Sequence, residues 1–236
     1  MTLCTFESQK LSNVAHLKNL KAIFFDLDGT LIDTAPDMIA VLTNIQTKEG
    51  QKPIPYEIAR QYVSNGSAGL INLAFPHESQ TKKEMLQERF LDLYEESVCI
   101  HSTLFPGLNL LLDNLDAKKI PWGIITNKPA RMTIPLVQAL GIGNRTKCVI
   151  SGDTLRKRKP DPAPLRLASK KIGVAPKDSV YIGDAERDIE AGHNAGMQTI
   201  AVTYGYITEN DDPTTWNADY IVDDSKRLAR ILLDGV

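Results

Sequence analysis

Six short apolar runs set the terms for this chain: Ala22–Phe25, Trp122–Thr126, Cys148–Ile150, Val180–Ile182, Thr199–Val202 and Tyr220–Val222. Runs this short, with little polar alternation, suit strands buried on both faces. Helical periodicity separates most of them. Leu108, Leu111, Leu112 and Leu115 follow an i, i+3, i+4, i+7 pattern, and Met132, Leu136, Val137 and Leu140 repeat it. Such alternation predicts an α/β fold, a doubly wound parallel sheet with helices on both faces. One segment breaks the rhythm. Between about Pro36 and Phe105 no strand pattern occurs, while helical patterns run at Met38–Lys48, Ile58–Val63, Ala68–Phe75 and Lys82–Ser97. An all-helical insertion over 35–105 is therefore expected, dividing a core of 1–34 and 106–236; the alternative for it is a helical domain without a chemical role. Residues 1–20 read equally as an amphipathic extension or a disordered leader.

Helix punctuation supports this map. In "KPDPAPL", Asp161 suits an N-cap and Pro162 and Pro164 the first turn, where no helical N–H bond is lost. Gly141 and Gly196 close the helices before them.

Composition narrows the function classes. A formal charge of −2 offers no electrostatic footprint for nucleic acid or an anionic membrane, and the 42% hydrophobic content supports a full core. A small-molecule partner is the expectation, with the chain a monomer or weak homodimer. Cys4, Cys99 and Cys148 share no metal or redox spacing, which points to reduced thiols in a cytoplasmic setting. No basic, apolar leader is visible at the N-terminus, and no apolar run nears the roughly 18 residues of a membrane helix. His16, His77, His101 and His193 have no paired ligand spacing.

The first strand runs directly into "DLDGT". In α/β sheets, ligands bind beyond the carboxyl ends of strands. Asp26 and Asp28 stand at such an end and, two residues apart, project to one side, while Gly29 permits a tight turn and close backbone approach. Clustered carboxylates repel one another and any phosphate, so a hard divalent cation, Mg²⁺, is the expected companion. A second acidic pair, Asp184 and Asp188 in "VYIGDAERDIEAGHNAG", lies beyond Val180–Ile182, at the strand tip and one helical turn on. Alternatively Asp184 caps the next helix and Asp188 pairs with an arginine. "WGIITNKP" brings Thr126 and Asn127 to the same rim with donors for phosphate oxygens, and Lys159 supplies a positive point charge. On its own, "RKRKP" reads as a solvated basic run.

Those four signals, in this order, resemble the haloacid dehalogenase superfamily of aspartate-nucleophile phosphotransferases. The resemblance spans nearly the whole chain from residue 21, with "DLDGT", Thr126, Lys159 and "GDAERD" as its motifs and the helical insertion as its cap. It implies a Rossmann-type core and a phosphomonoester hydrolase. Within it, Asp26 is the nucleophile that forms an aspartyl phosphate, and Asp28 is the general acid and base. Mg²⁺ is implied on Asp26, the Asp28 carbonyl and Asp184, with Asp188 supporting or joining them. Thr126, Asn127, Lys159 and Gly29 are implied around the phosphate. The phosphoglycolate phosphatase group is the nearest in pattern, through "IHSTLFPG", "WGIITNKP" and "YGYITENDDPTTWNAD". In the cap, Ser64, Asn65, Gly66 and Ser67 form the candidate specificity loop; their neutral groups favour an amino-sugar phosphate without excluding phosphoglycolate, and the resemblance implies N-acetylmuramic acid 6-phosphate as that sugar. For a substrate carboxylate, Arg60 is the nearby cation of the right sign. Sugar-phosphate mutase and non-catalytic regulator are the distant alternatives. Trp216 reads as a loop anchor, and Tyr204 and Tyr206 as residues closing the sheet.

Overall fold

The computed structural model describes Leu17 and residues 20–236. Its strands are β1 (Ala22–Phe25), β2 (Ile32–Asp33), β3 (Thr103–Leu104), β4 (Trp122–Ile125), β5 (Cys148–Ile150), β6 (Ser179–Gly183), β7 (Gln198–Val202) and β8 (Tyr220–Val222). Its helices are α1 (Ala35–Lys48), α2 (Tyr56–Gln61), α3 (Gly66–Ala74), α4 (Gln80–Glu96), α5 (Leu108–Ala117), α6 (Ala130–Ala139), α7 (Ala163–Ile172), α8 (Glu186–Ala195) and α9 (Ser225–Gly235). Six strands form one sheet in the order β5-β4-β1-β6-β7-β8, and every neighbouring pair is parallel.

Side-chain alternation along the strands feeds two cores. Ile23 and Phe25 face the leucines of α5 and α9, whereas Ala22 and Phe24 face α7 and α8. Both faces are thus covered, as a sheet of apolar strands requires, and each large side chain fully buried there contributes about 1.5–3 kcal/mol. Trp122 is buried with its indole N–H donated to Asp116, 2.9 Å away, so its one polar atom is satisfied. Leu17 and Leu20 join the first core. The remaining expectation for the N-terminus lies outside the described residues.

The six apolar runs of the sequence are the six strands of the sheet. Helices α1 to α4 follow the first of them and pack around a separate cluster that includes Leu42, Ile45, Leu70 and Phe90. A ribbon of β2 and β3 was not expected. Ile32 pairs antiparallel with Leu104 and Asp33 with Thr103, where the chain leaves and re-enters the sheet domain. Two-residue strands carry no periodicity, so the sequence does not announce them. A smaller difference concerns α7, whose cap is Pro162; Asp161 still accepts from the Ala163 N–H at 2.9 Å, one residue earlier than an N-cap. Trp216 is buried against Ile189 and Ala201, as an anchor should be. Cys99 and Cys148 are free thiols.

The ladder continues one residue past two central strands. Asp26 N–H donates to Ile182 O at 2.8 Å and Thr126 N–H to Ile150 O at 2.9 Å. Asp26, Thr126 and Asp184 consequently leave the sheet at one rim, the first two on backbone tied to the neighbouring strand.

Candidate active site

Asp26, Asp184 and Asp188 come from β1, β6 and the first turn of α8, and each offers one oxygen such that all three lie within 4.8 Å of one another. All are buried, with Asp188 wholly enclosed. Lys159 places its ammonium 2.7 Å from both Asp26 Oδ1 and Asp188 Oδ1, while donating to Tyr181 Oη at 2.9 Å and Ile125 O at 3.2 Å. The two Oδ1 atoms meet no other donor within the protein. Asp188 Oδ2 accepts the Ala185 N–H at 3.1 Å, so this carboxylate also ties down the start of α8.

Three buried carboxylates around one ammonium leave negative charge uncompensated. Burial pushes Asp26 up to about 6, with Lys159 opposing and Asp188 adding to the rise. Asp184 is pushed up to about 7 by burial and by the charges of Asp26 and Asp188, against hydrogen bonds from the Tyr206 N–H and the Ser64 hydroxyl. Lys159 is raised as well: burial alone would lower it, but Asp188 and Asp26 outweigh that, so it stays charged. A hard divalent cation suits this donor set. Two oxygens on opposite sides of Mg²⁺ stand about 4.2 Å apart, inside the 4.8 Å within which these three oxygens lie. Asp184 is no helix cap, since Ala185 takes that position, and Asp188 pairs with a lysine, not an arginine.

Glycine is required beside this cluster. Gly29 has φ +81°, and a Cβ there would overlap the Asp184 carboxylate; a Cβ at Gly205 would overlap Gly29 O.

Asp28 turns away from the cluster. Its Oδ1 accepts from Thr34 Oγ1 at 2.6 Å and from Lys128 Nζ at 2.7 Å. Lys128 is buried and reaches across to Tyr94 Oη on α4 at 2.9 Å; burial would lower it, but Asp28 and Tyr94 outweigh that and raise it. Thr126 Oγ1 accepts the Lys128 N–H at 3.1 Å. The Asn127 side chain is spent on Lys159, accepting its N–H at 3.1 Å and donating to its carbonyl at 3.0 Å. It fixes the lysine's main chain instead of presenting its amide to a ligand.

Next to these residues lies a cavity of about 530 Å³, lined by Asp26, Asp28, Thr126, Asn127 and Lys159 on the sheet side. Opposite stand Ser64, Asn65, Gly66 and Ser67, with Gln87 donating to Ser67 Oγ at 3.3 Å. The predicted loop therefore shares the cavity with the predicted motif residues, whereas Asp184 and Asp188 sit behind its wall. Ser64 goes further: its hydroxyl donates to Asp184 Oδ2 at 2.7 Å, and Arg187 donates to the Ser64 carbonyl at 2.7 Å.

Two expectations are corrected. Arg60 does not serve the cavity; its Nη1 donates to both Asp33 oxygens, at 2.7 and 3.0 Å, and the guanidinium lies 4.9 Å from the centre of the Tyr206 ring. Tyr206 does more than close the sheet: its hydroxyl accepts the N–H groups of Thr34 and Ala35 at 2.7 and 2.9 Å, and its own N–H donates to Asp184 at 2.9 Å. The cations lining the cavity are Lys128, Arg158, Lys159 and Arg187. Lys128, Arg187 and Tyr94 escaped the sequence reading. Arg187 carried a signal, standing between Asp184 and Asp188, and Lys128 adjoins Asn127.

Comparison with known proteins places this geometry among relatives. Residues 23–202 match the family model for haloacid dehalogenase-like hydrolases. The N-acetylmuramic acid 6-phosphate phosphatase of Pseudomonas aeruginosa is 40% identical over 214 residues, covering 90% of this chain and 95% of the relative. A phosphoglycolate phosphatase of Xanthomonas campestris pv. campestris is likewise 40% identical, over 208 residues, covering 88% and 94%. The crystal structure of a predicted phosphoglycolate phosphatase from Haemophilus somnus superposes with a TM-score of 0.80 at 28% identity, covering 91% of this chain and 98% of that one.

Proposed function

The chain belongs to the haloacid dehalogenase-like hydrolases, and on that premise we propose a phosphatase that cleaves a small phosphate ester through Asp26, with N-acetylmuramic acid 6-phosphate as substrate. The convergence of Asp26, Asp184, Asp188 and Lys159 at one sheet rim, beside a cavity lined by Thr126 and Ser64–Ser67, carries the reading.

In this reading the Asp26 carboxylate attacks phosphorus in line and the bond to the ester oxygen breaks. Asp28 gives that oxygen its proton, then takes one from the water that attacks the aspartyl phosphate, releasing inorganic phosphate and restoring Asp26. Thr126 donates its hydroxyl to a phosphoryl oxygen, and Lys159 offsets the charge that moves onto the transferring group. Asn127 holds Lys159 in place, and Gly29 lets the backbone turn close beneath the phosphate. Mg²⁺, held by Asp26, Asp184 and the Asp28 carbonyl with Asp188 in support, would neutralise charge at the phosphate. Residues 35–105 act as the cap that encloses the substrate, and the setting is cytoplasmic.

The size of the cavity supports the larger substrate. About 530 Å³ falls in the range that accommodates a drug-sized ligand and far exceeds the bulk of a two-carbon acid. Neutral groups at Asn65, Ser67 and Gln87 suit sugar hydroxyls and an acetamide. The relatives do not choose, being named for both substrates at the same identity. A second reading, phosphoglycolate, draws on the cations in the cavity wall.

Mg²⁺-dependent phosphate release, measured as kcat/KM for both esters, tests the reading: N-acetylmuramic acid 6-phosphate should lead by at least tenfold. Asp26→Asn should lose at least about 10³ in kcat while its circular dichroism is unchanged. Retained turnover in that variant would refute the nucleophile, and a lead for phosphoglycolate would reverse the choice of substrate.

A further inference from the structure

Four cations line the cavity, and three are committed. Lys159 pairs with Asp26 and Asp188, Lys128 pairs with Asp28 and bonds Tyr94, and Arg187 is bonded to the Ser64 carbonyl in a field set by Asp188, Asp26 and Asp184. Arg158 is different. It lines the cavity next to Lys159 and is exposed, and it pairs with no carboxylate among the described residues. Its neighbour Lys157 is spent on Asp161 at 2.9 Å, so the basic run is not a uniformly solvated face.

We propose that Arg158 is a specificity residue that binds a carboxylate on the substrate, so that the enzyme selects phosphate esters that are also carboxylic acids. This rests on the phosphatase reading above and narrows it. The phosphoryl end of a ligand belongs with Asp26, Thr126 and Lys159, whose ammonium is already paired inside the protein. The opposite wall, Ser64 to Ser67 with Gln87, offers only neutral groups to the rest of the ligand. A second anionic group therefore has one uncommitted partner in the wall, and a guanidinium fork matches a carboxylate in two parallel hydrogen bonds. Both esters considered above carry such a group, which explains how one cavity type serves either acid and why Arg60, locked onto Asp33, is not needed for it.

Paired substrates test this. Kinetics of N-acetylmuramic acid 6-phosphate are compared with N-acetylglucosamine 6-phosphate, the same sugar without the lactyl ether, and phosphoglycolate with 2-hydroxyethyl phosphate. For the better-used pair, wild type should favour the acid by at least tenfold in kcat/KM. Arg158→Ala should collapse that ratio at least tenfold, chiefly through KM, and Arg158→Lys should restore part of it. An equal fall for acid and alcohol would make Arg158 a phosphate contact and overturn the proposal, as would a wild type with no preference for the acid. Absence of Mg²⁺-dependent phosphate release from all four esters would instead fell the phosphatase reading, a distinguishable failure that takes this inference with it.

Discussion

At the scale of single residues, the site is a charge problem solved only halfway by protein. Asp26 and Asp184 are held at about 6 and about 7, above the ordinary carboxylate range, mainly because they are buried. The sign of the consequence follows from proton linkage. An acid whose folded value is raised binds more protons folded than unfolded across the interval between the two values. Stability of the metal-free protein then falls as pH rises from about 4 toward 7. Metal-free protein should accordingly melt at a lower temperature at pH 7.5 than at pH 5.5 through these groups, and Mg²⁺ should raise the melting temperature more at pH 7.5. An equal Mg²⁺ effect at both values would contradict the assignment of the cluster. The placements that could be read from the bare sequence are those fixed by local position. Asp26, Asp28, Thr126 and Asp184 each follow an apolar strand, and the strand end alone directs them to the rim. Lys128 was not legible, because its meaning comes from Asp28, 100 residues before it, and Tyr94, 34 residues before it.

Elements show where the helical insertion is fastened. Asp37, buried in the first turn of α1, accepts N–H bonds from Ile100, His101 and Ser102 at 3.0, 2.8 and 2.9 Å, and the Ser102 hydroxyl at 2.6 Å. An acidic residue in a first helical turn ordinarily complements the helix dipole. Here it also gathers the returning strand of chain just before β3. Asp37→Ala should cost about 2–4 kcal/mol, since it leaves buried donors without acceptors. In a domain of this size that lowers the melting temperature by about 5–15 °C, readable by calorimetry. A change under 2 °C would show that water replaces the carboxylate. The same junction explains what the sequence concealed in the fold. Long periodic stretches such as Leu108–Leu115 declare themselves, whereas Ile32–Asp33 and Thr103–Leu104 are strands only because each finds the other across the insertion.

For the whole molecule, the insertion is docked onto the sheet domain through side chains of the site itself. Ser64 bonds Asp184, Arg187 bonds the Ser64 carbonyl, and Tyr94 takes a hydrogen bond from Lys128. Arg187→Ala should loosen this docking, so that proteases cut near residues 97–102 several-fold faster and kcat/KM falls about tenfold, a loss of about 1.4 kcal/mol in the transition state. Unaltered proteolysis would mean that the remaining contacts suffice. The run of helices was evident from the break in strand rhythm, but the docking contacts were not, because they join positions far apart in the chain, as Ser64 and Asp184 are.

The bond between Ser64 and Asp184 carries one more implication, for tempo. Were the insertion to swing off the sheet to admit a substrate, that clasp would part on arrival and again on departure. Each catalytic cycle would then include two strokes of a door, a step that in many enzymes outlasts the chemistry behind it. Thickening the solvent with sucrose should then slow kcat in proportion to viscosity, and indifference to viscosity would show that the door swings freely.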